Sequence, residues 1–179
     1  MGYKTLSAVM ALDDPLMSHN WVITNAGTAE QYFSSKPGFF RDYTESIELP
    51  FRQFTADDRH VATTKKYYAG FNNVNSFSAV FYEDVNATTI SGFVNWQNQI
   101  MDKDFNYNPA NRYKTDWKVK LVNDKLGPNS PAIVQAQLLG VFPLAMNPLS
   151  LTSGVEFVPI AVTFSVDRVI WSGGTIQPQ

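Results

Sequence analysis

The sequence predicts a mainly β fold: an antiparallel β-sandwich or barrel with one flanking α-helix at an opening and a long protruding hairpin. Three observations predict it. Apolar residues alternate with polar ones at a period of two over Tyr113–Val122, Ile133–Phe142 and Val158–Val166. Near-helical spacing is clear in one stretch alone, between Asp84 and Ile100. Finally, Phe51–Gly70 mixes seven charged or titratable residues with aromatics and offers no face for burial. At 179 residues the chain suits one domain, with an N-terminal segment (1–18) and a C-terminal arm (172–179) attached.

In chain order, Lys4–Leu12 has helix propensity and stops at Asp13-Asp14-Pro15. Asn20–Ile23 is a short strand, and Asn25–Lys36 shows no period. Pro37-Gly38 marks a turn before Phe39-Phe40. Tyr43–Leu49 alternates, with Ile47 and Leu49 opposed to Ser46 and Glu48, until Pro50 closes it. Asp57-Asp58 is the expected turn of the polar hairpin, whose two arms then need another surface to rest on, such as a second subunit. Phe77–Tyr82 is a strand covered on both faces. Asp84 or Asn86 can cap the helix that follows, which directs Ile90, Phe93, Trp96 and Ile100 to the core. Gly92 inside that helix costs about 1 kcal/mol relative to Ala, so close packing against a sheet is expected there.

Met101–Arg112 is a polar loop; then Trp117, Val119 and Leu121 alternate with Asp116, Lys118 and Lys120. A turn at Gly127–Pro131 leads to Val134, Ala136 and Leu138 alternating with Gln135 and Gln137. Pro143 to Gly154 connects to the last strand, in which Pro159 implies an edge position or a bulged start. The tail from Ser172 is an extended arm or disordered.

Charge is sparse, at 17% of residues, and 22 Asn and Gln supply much of the polarity. Isolated soluble domains keep more charge on their surfaces, so a chain this neutral is suited to being covered by copies of itself. From Leu126 onward only Glu156, Asp167 and Arg168 are charged. A net charge of -2 provides no footprint for gripping phosphates. With no Cys there are no disulfides, thiol nucleophiles or Cys-bound metals. The N-terminus lacks a secretion-signal pattern, and no window has the 18 apolar residues of a membrane span.

The search for reactive groups ends without a site. Asp57-Asp58-Arg59-His60 has the residue types of a metal or acid–base cluster, but adjacent residues rarely aim at one ion and no third ligand can be named. A solvated hairpin tip or an intersubunit salt bridge explains them better. Asp102 and Asp104 flank Lys103 as a charged loop, not an acid–base pair. Ser172-Gly173-Gly174-Thr175 has neither the Lys nor the helix of a phosphate loop. Tyr113 and Trp117 share a parity that Lys114, Lys118 and Lys120 do not, which separates rings from charge and argues against a nucleic-acid surface. No enzyme activity, cofactor or metal is expected.

Phe93-Val94-Asn95-Trp96-Gln97 resembles the Phe-Val-x-Trp-Gln helix segment of the T4-like contractile phage tail tube protein family. Phe77–Asp84 is similar to that family's strand into the helix, and Lys66–Gly70 to the return arm of its hairpin. Val141-Phe142-Pro143 resembles its Leu-Trp/Phe-Pro turn, and Val155–Trp171 its final strand. The likeness spans Tyr43–Trp171; the first fifty residues match poorly and the tail looks longer.

The resemblance implies a single tail tube domain, six copies per ring with sheets joined into an inner barrel, and rings stacked into the tail tube of a virion assembled in the host cytoplasm. Its implied partners are itself, tail sheath, tape measure, baseplate and tail terminator proteins, with DNA passing through non-specifically and no membrane insertion. Phe54, Asp57, Asp58, Arg59, His60, Lys65 and Lys66 would sit on the inter-ring hairpin, while Gln135, Gln137, Thr163 and Ser165 are candidates for the lumen. The other classes are the tube of a phage-like contractile injection system, a monomeric virion-associated binding module, and a hydrolase with a dispersed site.

Overall fold

The computed structural model describes residues 21–51, 53–61, 64–72, 76–122, 132–147 and 158–173. The expected helix at Lys4–Leu12, the turn at Gly127–Pro131 and the segment 1–18 lie outside them. The strands are β1 (Trp21–Asn25), β2 (Thr44–Ile47), β3 (Gln53–Val61), β4 (Thr64–Asn72), β5 (Ser76–Tyr82), β6 (Thr115–Leu121), β7 (Val134–Met146), β8 (Pro159–Ser165) and β9 (Arg168–Ser172). Helical segments are a 3-10 helix (Gly27–Phe33), α1 (Phe39–Asp42), α2 (Thr88–Gln97) and α3 (Ala110–Tyr113).

Seven strands form one sheet in the order β1-β6-β7-β8-β5-β2, with β9 also on β7. All its pairings are antiparallel. The 13-residue β7 serves two half-sheets. Its first half pairs with β6 and β9, and its second half with β8. We call β1-β6-β7-β9 the β1 half-sheet and β2-β5-β8-β7 the β2 half-sheet.

The corner between the halves is built from polar contacts. Gly140 takes φ +68°, and its N–H donates to Asp116 Oδ1 at 2.9 Å. The Asp167 N–H donates to Leu139 O at 2.9 Å, and Lys114 Nζ meets Asp167 Oδ2 at 2.7 Å. A Cβ at Gly140 would strike the Asp167 carboxylate, so the corner requires glycine on two counts.

The half-sheets pack face to face. Trp117 from one lies 5.8 Å from Phe77 and 4.9 Å from Phe164 of the other, centroid to centroid. The barrel alternative is not realised, since β1 and β2 end the strand order without pairing with each other among the described residues. The chain between them is helical, and its Phe33, Phe39 and Phe40 fill the core there with Phe93 and Trp96 of α2. Each such buried side chain contributes about 1.5–3 kcal/mol.

Two carboxylates satisfy the N-terminal amides of α2. Asp84 Oδ1 accepts from the Thr88 and Asn86 N–H groups, both at 3.0 Å, and Oδ2 from the Thr88 hydroxyl at 2.9 Å. Glu83 accepts from the Thr89 and Ile90 N–H groups, both at 2.9 Å. The helix stops at Gln97, three residues before the expected Ile100, because Gln99 and Ile100 bond three residues back and tighten the turn. Gly92 packs against the Phe33 ring of the 3-10 helix, where a sheet was expected.

Four further expectations need correction. Asp57 and Asp58 are not a turn: they lie within β3 opposite Tyr68 and Tyr67, and pairing continues to Val61 and Thr64. Pro143 lies inside β7, beyond the last pairing with β6 at Val141, so its missing N–H meets no strand on that side among the described residues. β8 is central, between β7 and β5, and Pro159 is tolerated as its first residue. Ser172 belongs to β9, paired with Gln135, so an arm can start only after it; residues 174–179 lie outside the described set.

Candidate functional site: assembly surfaces

The first surface is the hairpin. β3 and β4 hold nine paired positions and pair only with each other among the described residues. At about 3.4 Å per residue the arm is about 30 Å long. Ala56 to Asp58 and Thr64 to Ala69 are exposed, with Tyr67 at 67% and Tyr68 at 46%. Lys65 forms an ion pair with Asp58 and lies 5.5 Å from the centre of the Tyr67 ring. Lys66 is exposed. Phe54, Arg59 and His60 occupy β3 positions opposite Phe71, Lys66 and Lys65, and their side chains lie outside the described set. A two-stranded ribbon with large exposed rings is marginal alone and needs a support.

The second surface is the set of open strand borders. Among the described residues β1 pairs only with β6, β2 only with β5, and β9 only with β7. Each leaves a row of backbone donors and acceptors available to another chain. A bulge in β1 and another in the β2 pairing keep these borders irregular.

The third surface comprises the two outer faces, and here the lumen candidates separate. Gln135 and Gln137 stand across from Lys120 and Lys118 on the β1 half-sheet. Thr163 and Ser165 stand across from Ser78 and Ser76 on the β2 half-sheet. Since the inner faces of the two halves meet around Trp117 and Phe164, these outer faces point away from each other. Sequence periodicity gives the parity of each strand but not which strands share a half-sheet.

Of the core-directed helix positions, Phe93 and Trp96 are fully buried. Ile90 packs partly buried against the same cluster, while Ile100 lies past the helix end and is half-buried. The Trp96 Nε1–H donates to Tyr113 O at 2.7 Å, tying α2 to the entry of β6. Sequence reasoning missed an apolar groove of about 560 Å³ at the sandwich opening remote from α2. It is lined by Trp21, Ile47, Leu49, Phe51, Leu121, Val134 and Trp171, and Phe51 stacks on Trp171 at 4.6 Å.

Among the described residues no group of three His, Asp or Glu is placed to hold a metal ion. The carboxylates Glu83 and Asp84 are engaged as helix caps. The Thr88 N–H is the largest cause that holds Asp84 down at about 2, with the Thr88 hydroxyl, the Asn86 N–H and Lys36 adding to it against the cost of desolvation. Among the described residues no helix is long and apolar enough to cross a membrane.

No protein-family model and no curated protein matches the chain. Solved structures do. A chain of the PVC sheath–tube complex, an extracellular contractile injection system in its extended state, superposes with a TM-score of 0.65 at 14% identity. That match covers 96% of this chain and 100% of the other. A chain of the PVC sheath/tube terminator matches with TM-score 0.67 at 13% identity, over 91% of this chain and 100% of the other. A chain of the anti-feeding prophage tube-terminating cap gives 0.67 at 14%, over 92% and 95%. The chain therefore shares the fold of these chains from contractile injection systems.

Proposed function

We propose that this protein is the structural subunit of the inner tube of a phage-like contractile injection system, assembling as rings of six that stack into a hollow conduit. The observation that carries the reading is the full-length match to a chain of the PVC sheath–tube complex, which leaves no part of that chain unaccounted for. The open borders at β1, β2 and β9 support it, because neighbouring copies would complete them and remove edges that otherwise aggregate. The hairpin, whose strands pair only with each other among the described residues, supports it too, with an adjacent ring as its resting surface and Asp57, Asp58, Lys65 and Lys66 in the contact.

Its partners are then further copies of itself, a surrounding sheath, a baseplate and a terminator, in an assembly that works outside the cell. The work is mechanical and requires no chemistry: the tube stays rigid and guides cargo. The tail tube of a contractile phage, with a tape measure protein and then DNA in its lumen, is the second reading. It rests on the Phe93-Val94-Asn95-Trp96-Gln97 resemblance. Light scattering of the purified protein across a concentration series tests both. Growth to ring mass and beyond supports a tube subunit, and a stable monomer at high concentration sinks it in favour of a binding module.

A further inference from the structure

We propose that the outer face of the β2 half-sheet lines the channel, and that the outer face of the β1 half-sheet, with its lysines, looks outward to a protein partner. This rests on the tube reading above, and it places Gln135 and Gln137 on the outside while Thr163 and Ser165 stay in the lumen.

The two faces differ in chemistry. Across the β2 half-sheet the register sets Ser46, Val80 and Ala161 in one row. Ser78, Thr163 and Ala145 form the next, followed by Ser76, Ser165 and Phe142. Most of these side chains are small, and none is charged. Charge borders the rows at exposed Glu48, whose N–H donates to Ser78 O, at exposed Glu45 in β2, and at Lys114, whose Nζ lies 5.6 Å from the Phe142 ring centre and is neutralised by its ion pair with Asp167. A wall of this kind holds no anion and offers moving cargo few strong contacts. On the β1 half-sheet the matching rows are Val22, Lys120, Gln135 and Ser172, then Lys118, Gln137 and Ile170. Cations beside half-buried Val22, Leu139 and Ile170 make an amphipathic surface suited to a protein with acidic groups.

Topology points the same way. The hairpin departs from β2 and returns into β5, which are paired neighbours in the β2 half-sheet. A ring-to-ring contact made by this arm therefore extends that half-sheet along the stack. A conduit must be sealed where rings meet, and an arm of about 30 Å that continues the inner wall seals it.

The chain has no cysteine, so single ones report position directly. Thr163→Cys and Gln137→Cys tubes without sheath are treated with a maleimide coupled to a carrier protein too large to enter the channel, and with N-ethylmaleimide as control. Ser78→Cys and Lys118→Cys form a second pair should either first variant fold poorly. The inference expects carrier labelling at Thr163→Cys to be lost on assembly and to persist at Gln137→Cys, while N-ethylmaleimide reaches both. The reverse pattern, or equal labelling of both, overturns the orientation and leaves the tube standing. Subunits that form no rings overturn the tube reading, and this inference with it.

Discussion

At the residue scale, Thr88 donates twice to Asp84, and together with the Asn86 N–H these bonds depend on the carboxylate being ionised. A depressed folded pKa gives stability that is fully present above the ordinary value of 3.8 and is lost as pH falls through about 2. Thermal unfolding at fixed protein concentration should show the wild type losing more stability over that window than Asp84→Asn, and parallel losses would contradict the assignment. The two buried tryptophans form a second comparison. Trp96 donates to Tyr113 O, whereas Trp117 Nε1 finds no acceptor among the described residues. Both are fully buried, so Trp→Phe removes comparable volume at each. Denaturant titration should find Trp96→Phe costlier than Trp117→Phe by about 1–2 kcal/mol, the worth of the bond plus the carbonyl it leaves unsatisfied.

At the scale of elements, β6 and β8 were legible from their period. Each has one face in the core, so Trp117 and Val119, or Ile160, Val162 and Phe164, recur at every second position. The 3-10 helix was not legible, because what orders Gly27–Phe33 is non-local: Ala29 and Phe33 are buried in a core assembled from distant strands. Continuation of β7 through Pro143 was hidden for a related reason. Proline is a stop signal unless the strand pairs on one side only, which is a property of topology. The hairpin's existence was legible from its polarity but not its turn, since Asp57 and Asp58 suit a turn locally while the register places them mid-strand. Excising Ala56–Ala69 and joining Thr55 to Gly70 through Asn-Gly keeps the paired root and a permitted turn. Such a variant should unfold at nearly the wild-type temperature and yield no long tubes in electron micrographs. Tubes of normal length would remove the hairpin from the stacking contact.

For the whole molecule, charge distribution and open borders describe the same object. Lysines gather on one outer face and small uncharged residues on the other, and between them lies an aromatic-rich core. Sparse charge was readable from composition, and the lumen candidates could be named as polar strand faces. Their division onto opposite sides of the sandwich was not readable, because a single β7 strand feeds both half-sheets and changes partners between Val141 and Phe142. The central claim is that copies of this chain complete one another's sheets. Electron microscopy of the purified protein with rotational averaging tests it most directly. Rings of six with a continuous inner wall, alone or stacked into tubes, are the expected result. Isolated particles of one chain's mass at every concentration would contradict the claim.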